Sequence, residues 1–203
     1  MASVITGSSC GDAWKRGVRF LLKNGTYVPS IRGPVIECLN LALVVLDPWS
    51  AEGRISKLSP SFRQGDQFGS SLVNDERILN WHGENQLEKV VSALRGDPLS
   101  RRAVIAIWDP QKDYEDDKSA GLIAFVFAIR QKKLHMTGLM RTTDAWMCNW
   151  TLASFPELQK TVWEALCKEE WAQDIVLGTY TQTHCSFHLY LDDWKDAQWR
   201  LGS

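Results

Sequence analysis

The sequence predicts an α+β fold, and three observations carry that prediction. Residues 12–23 and 85–94 place apolar side chains at helical spacing. Runs rich in β-branched residues stand apart from them, at 34–47, 102–108, 121–129, 134–140 and 178–191. The order of these segments lacks the regular strand–helix–strand alternation of a parallel α/β protein. With 203 residues, 44% of them hydrophobic, the chain is read as one domain spanning 1–203 with a sizeable core.

Taken in order, DAWKRGVRFLLK at 12–23 puts Ala13, Trp14, Val18, Phe20, Leu21 and Leu22 at roughly helical spacing and stops at Asn24-Gly25. PVIECLNLALVVLD at 34–47 shows near alternation before a β-rich run and reads as a strand. Residues 48–80 are rich in Ser, Gly, Asp and Asn and read as a long irregular region, a kind of segment that often carries function. NQLEKVVSAL at 85–94 sets Leu87, Val90, Val91 and Leu94 on one face and closes at Gly96-Asp97-Pro98. Residues 102–108 follow as a strand and 112–118 as a charged loop. Segments 121–129 and 134–140 form a hairpin around Gln131-Lys132-Lys133, 155–167 is an amphipathic helix extending toward Trp171, and 178–191 is the last strand region.

Composition excludes several classes. The 23 basic and 24 acidic residues balance to a net charge of -1, which argues against a surface that coats a nucleic acid polymer. A small phosphate ligand held by a few local arginines is compatible with that balance. The longest charge-free apolar runs, at 38–46 and 121–129, fall short of the roughly 20 residues a membrane helix needs. Five cysteines without C-x-x-C spacing and without a recognisable secretory signal read as reduced thiols, implying a cytoplasmic protein. No cluster with metal-ligand spacing stands out, so no metal is expected. The ten tryptophans read first as core mass; lining a flat base or pterin site is the alternative.

The candidate binding residues are basic and hydroxylic. Arg101 and Arg102 open a strand after a Pro-containing turn, and Arg141-Thr142 pairs a guanidinium with a hydroxyl at a strand end. The planar arginine fork matches phosphate oxygens bidentately and stays charged. Taken singly, each pair is the ordinary pattern of solvated surface charge. Their order and spacing give them weight.

That order resembles the thymidylate synthase and pyrimidine hydroxymethylase family, whose hydroxymethylase members act on dCMP, dUMP or CMP. SRRAVIAIWDP at 100–110 is similar to the family's Ser-Arg-Arg segment ending in Trp. LHMTGLMRTTDAW at 134–146 looks like the segment closing in Arg-Ser-x-Asp, and SFHLYLDDWKDAQWRL at 186–201 resembles the His-x-Tyr region. The recognisable portion runs from about residue 70 to the end, with a weaker likeness of the first part to the shorter, archaeal-type branch. The resemblance implies a mixed sheet with flanking helices and a homodimer packed sheet to sheet. It assigns phosphate contacts to Arg32, Arg141 and Thr142 within the subunit, and to Arg101 and Arg102 reaching into the neighbouring one. His188 and Tyr190 would hold the ribose. Asp144 would sit at the base end with Trp108, and the base-reading position aligns with Asn149 or, after a one-residue deletion, Thr151.

The family's nucleophilic cysteine precedes the motif arginine at a spacing that lands on Gly121, inside Ala120-Gly121-Leu122. That cysteine attacks C6 of the pyrimidine so that C5 becomes nucleophilic; glycine has no side chain for it. Cys148 and Cys185 are the thiols that could approach the pocket in its place. The family tyrosine expected near 74–77 is also missing, and Thr151 lacks the paired donor and acceptor of an amide. The chain is therefore expected to bind a nucleoside 5′-monophosphate and to pass a one-carbon unit, methyl or hydroxymethyl and derived from 5,10-methylenetetrahydrofolate, to a nucleobase without the usual cysteine. Asp144, Glu37 and Glu76 are the acid–base candidates. The alternative is a catalytically inactive homologue that binds or senses a nucleotide.

Overall fold

The computed structural model describes residues 2–50, 75–115 and 119–194. The elements run β1 (Ser3–Gly7), α1 (Cys10–Asn24), β2 (Thr26–Ser30), β3 (Gly33–Val45), α2 (Glu76–Leu79), α3 (Gln86–Gly96) and β4 (Val104–Ala106). They continue with β5 (Leu122–Arg130), β6 (Lys133–Asp144), α4 (Cys148–Ser154), α5 (Pro156–Leu166) and β7 (Val176–Tyr190). One mixed sheet in the order β1-β3-β7-β6-β5-β4 organises them, with β2 pairing along the first part of β3. β6 and β7 are parallel, as are β1 and β3, and the other pairs are antiparallel. The fold is thus α+β, as expected. No helix of the described residues is long and apolar enough to cross a membrane.

Local chemistry explains the elements. Ser9 caps α1 by accepting the Asp12 N–H at 3.3 Å, and Ala13, Trp14, Gly17, Val18 and Leu21 form its buried face. Trp14 is 1% exposed, and its indole N–H donates to Ala145 O at 2.8 Å, which pins the helix to the end of β6. Asn85 caps α3, whose buried face is Val90, Val91 and Leu94. The β5–β6 turn puts Gln131 and Lys132 at φ 51 and 59, the left-handed pair of a two-residue hairpin turn.

Several elements differ from the sequence expectation. β1 and β2 are additional strands, too short to show a period. β4 is only three residues long, because beyond it Ile107 and Trp108 both donate to the single acceptor Ile123 O. The helical expectation at 155–167 becomes α4 and α5, with Pro156 in the first turn of α5, where its missing N–H costs nothing. The irregular reading of 48–80 falls mostly on residues outside those described, and its last part is the short α2.

One irregularity positions the site. Leu41, Leu43 and Val45 on β3, Tyr180, Gln182 and His184 on β7, and Leu134, Met136, Gly138 and Met140 on β6 are buried in alternation. Past Asn40, Cys185 and Arg141 the buried positions become Ile36 with the adjacent Val35, Phe187 and Leu189, and Thr143 and Ala145. The alternation slips by one residue at the same level of three adjacent strands, and Asn40 takes φ 56 there. Because all three strands slip together, the pairing on either side keeps its register. The slip turns Glu37, Ser186, His188, Tyr190, Thr142 and Asp144 away from the core and onto one wall of a cavity.

Candidate functional site

The cavity holds about 950 Å³, within the usual range for a small-molecule site. Its floor is a polar row across three strands. Glu37 on β3 stands opposite His188 on β7, which stands opposite Asp144 on β6. Side chains so paired have Cβ atoms about 5 Å apart. Ser186 Oγ donates to Glu37 Oε1 at 2.5 Å, and the Thr142 hydroxyl lies 3.3 Å from His188 Nδ1. The Tyr190 ring meets the His188 ring edge-on, with centroids 5.4 Å apart.

Burial lowers the basicity of His188, against the pull of Asp144 and Glu37 toward the charged form. Burial likewise holds the Asp144 carboxyl above its ordinary range, opposed by the Trp146 N–H that donates to Oδ1 at 2.8 Å and by His188. An imidazole of lowered basicity and a carboxyl of raised proton affinity therefore sit side by side, an arrangement suited to moving a proton.

Arg141 forms the second feature. Its guanidinium lies 5.0 Å from the centroid of the Trp108 ring and donates from Nη2 to Ser119 Oγ at 3.1 Å. Tyr114 meets Trp108 edge-on at 5.7 Å. Arg77 supports this wall from behind, binding both oxygens of Asp113 at 2.7 and 2.9 Å and Ile107 O at 2.8 Å, next to Trp108. Asp113 also accepts the Asp109 N–H at 2.7 Å, and Gln86 clasps both backbone groups of Ala106.

Gly121 lines the cavity between these features. A Cβ built there would lie 2.8 Å from Thr142 O, and the Arg141 N–H donates to Gly121 O at 2.7 Å. The backbone of β6 fills the space that a side chain at 121 would need.

The cavity brings together Arg32, Glu37, Trp108, Gly121, Arg141, Thr142, Asp144, His188 and Tyr190 from the sequence expectation. It does not include Arg101 and Arg102, which are exposed, or Glu76, exposed on the first turn of α2. Asn149 is buried on α4, and Thr151 exchanges hydrogen bonds with the fully buried Gln182. No cysteine lines the cavity. Cys148 is buried under α4 with its thiol pushed well up by burial, and Cys185 is exposed at the slip in β7. Among the described residues no group of three or more His, Cys, Asp or Glu is placed to hold a metal. Sequence reasoning missed Arg77, Asp113, Tyr114, Ser119 and Ser186. Ser186 was findable, two residues before His188 on the same pleat; Arg77 stands on the four-residue α2, and Asp113, Tyr114 and Ser119 lie in loops, none with a local signal.

Sheet and cavity define an α+β protein with a cleft built on the ends of three adjacent strands. The thymidylate synthase family model matches residues 48–202, and the chain belongs to that family. A protein of Methanosarcina mazei named "Putative thymidylate synthase" is 28% identical over 206 residues, covering 94% of this chain and 91% of its own. One of the same name from Methanothermobacter thermautotrophicus is 27% identical over 226 residues, covering 98% of each chain. A third, from Methanocaldococcus jannaschii, is 32% identical over 123 residues, 58% of this chain and 50% of its own.

Proposed function

We propose that the cavity binds a nucleoside 5′-monophosphate and that the protein transfers a folate-derived one-carbon unit to its base without a covalent cysteine adduct. The observation that carries this reading is the coexistence of a guanidinium–hydroxyl pair, Arg141 and Thr142, with the His188–Tyr190 pair, around a position 121 that has no side chain and no room for one. Arg141, Thr142 and Arg32 bind the phosphate, and His188 and Tyr190 bind the sugar. Asp144 and Trp108 face the base, since Asn149 and Thr151 lie off the cavity.

The nucleobase supplies the electron pair from a carbon or exocyclic nitrogen that is nucleophilic without covalent activation; the carbon–nitrogen bond to the folate would break in return, and water for a hydroxymethyl product, or a hydride from the tetrahydrofolate for a methyl product, would complete the unit. Asp144 takes the proton that this atom loses, a task suited to a carboxyl held above its ordinary range. Glu37, opposite the sugar-binding His188, stands at the other end of the row from the base, and Glu76 does not line the cavity. The Trp108–Tyr114 pair, with Tyr114 80% exposed, fits the flat pterin of 5,10-methylenetetrahydrofolate, which supplies the one-carbon unit when bound.

The chain acts as one cytoplasmic thymidylate synthase-like domain over 1–203. It pairs sheet to sheet into a homodimer, in which the exposed Arg101 and Arg102 reach the neighbouring cavity. The partly exposed pleat opposite the core, with Thr137, Leu139, Thr181 and Thr183, supports that packing. The absence of a thiol along the cavity favours a second reading, a nucleotide binder without catalysis.

Incubation with each nucleoside 5′-monophosphate and methylenetetrahydrofolate, followed by mass analysis of the nucleotide, decides between them. A gain corresponding to a methyl or hydroxymethyl group on one base is the expected result. No product from any nucleotide, together with stabilisation by one of them, leaves only the binder.

A further inference from the structure

The sugar end of the cavity carries more hydrogen-bonding capacity than a single sugar hydroxyl can use. His188 and Tyr190 stand on one strand and suffice for one hydroxyl. Glu37 stands in register opposite His188 on the neighbouring strand, on the same wall. Among the described residues Ser186 is the one donor that reaches the Glu37 carboxylate, on Oε1. An ionised carboxylate offers about four acceptor sites and donates nothing, so Oε2 is left for a donor from a ligand. Glu37 also precedes residues 48–202, so the family match does not assign it a role.

We infer that Glu37 accepts a hydrogen bond from the 2′-hydroxyl of a bound nucleotide, making the site selective for ribonucleoside over 2′-deoxyribonucleoside monophosphates; this rests on the monophosphate reading above. A hydroxyl held by His188 and Tyr190 would leave its vicinal neighbour next to the row in which Glu37 is the adjacent residue on β3. A carboxylate holds a ribose hydroxyl in the same way in dinucleotide-binding folds. A 2′-deoxy sugar presents C–H groups instead, and closing the ligand over Glu37 then removes water from Oε2 without giving it a donor. Sites built to bind a hydroxyl reject the analogue lacking it far more strongly than apolar pockets reject a missing methylene. Glu37 is thus a specificity-determining residue, with Ser186 as its positioning partner.

Isothermal titration of the full chain with matched ribo and deoxyribo monophosphates of each base tests this. The ribonucleotide should bind about tenfold or more tightly, the scale of a hydrogen bond to a charged group. Glu37→Ala should weaken ribonucleotide binding to the deoxyribonucleotide level and leave the latter within about twofold. Glu37→Gln, which keeps the volume and an acceptor, should fall between and guards against a folding defect in the alanine variant. Equal or tighter binding of the deoxy series, or a ribo preference that survives Glu37→Ala, overturns the inference and leaves the phosphate reading intact. Failure of both series to bind overturns both.

Discussion

Gly121→Ala is the smallest change that probes how the cavity is built. The new Cβ would stand 2.8 Å from Thr142 O, against an ordinary contact of 3.4 Å or more, so the two backbones must part by about half an ångström. Neither atom is the free end of a side chain, and the Arg141 N–H to Gly121 O bond of 2.7 Å ties the same two segments together. Overpacking of this kind costs about 1–3 kcal/mol. For a chain of this length that corresponds to a fall in Tm of about 2–12 °C. The shift also moves Arg141 and Thr142, so monophosphate affinity should fall with stability. Gly121→Cys carries the same clash, and restoring the family's residue should therefore restore no covalent nucleotide adduct. Thermal melting, titration calorimetry and intact-protein mass spectrometry read the three consequences. A Gly121→Ala protein melting within about 1 °C of the parent, or a Gly121→Cys protein that forms an adduct, would refute the reasoning.

Two further perturbations test the support of the site. Asp113→Asn leaves Arg77, only 29% exposed, facing a neutral amide; breaking a buried pair from one side costs about 3 kcal/mol or more, and a change under about 0.5 kcal/mol in urea denaturation would contradict the role given to the pair. His184 is fully buried, with Nδ1 2.8 Å from Thr143 Oγ1 and Nε2 unpartnered among the described residues, and burial pushes its pKa from 6.5 down to about 3. Between those values the unfolded chain binds a proton that the folded chain refuses. Stability should therefore fall as pH drops, by about 1.4 kcal/mol per pH unit, and level off below about pH 3. His184→Gln should flatten that slope, and an unchanged slope in the variant would show that other groups carry it.

Much of the fold was legible because its signals are local. The helical faces of α1 and α3 and the hairpin of β5 and β6 each repeat a period long enough to read. β1 and β2 have five residues each, too few to show one. The site was legible where motif residues share a strand: Arg141, Thr142 and Asp144 on β6, and His188 and Tyr190 on β7. It was hidden where it depends on pairing between strands. Glu37 reads as one charged residue in an apolar run, and only the register with β7 sets it beside His188. Nor does the sequence mark the slip at Asn40, Cys185 and Arg141, since moving a strand's alternation by one residue leaves its composition unchanged. Asn149 and Thr151 fell off the cavity because residues 148–154 coil into α4 and carry them toward the core.

The central claim is that this cavity holds a nucleotide by its phosphate at Arg141. The direct measurement is thermal stabilisation by a panel of nucleoside 5′-monophosphates, run on the parent and on Arg141→Ala. The account predicts that at least one monophosphate stabilises the parent by about 2–3 kcal/mol at a hundredfold excess over its Kd. The same compound should leave Arg141→Ala unmoved. Stabilisation of the variant equal to that of the parent, or no response of the parent to any monophosphate, would contradict it.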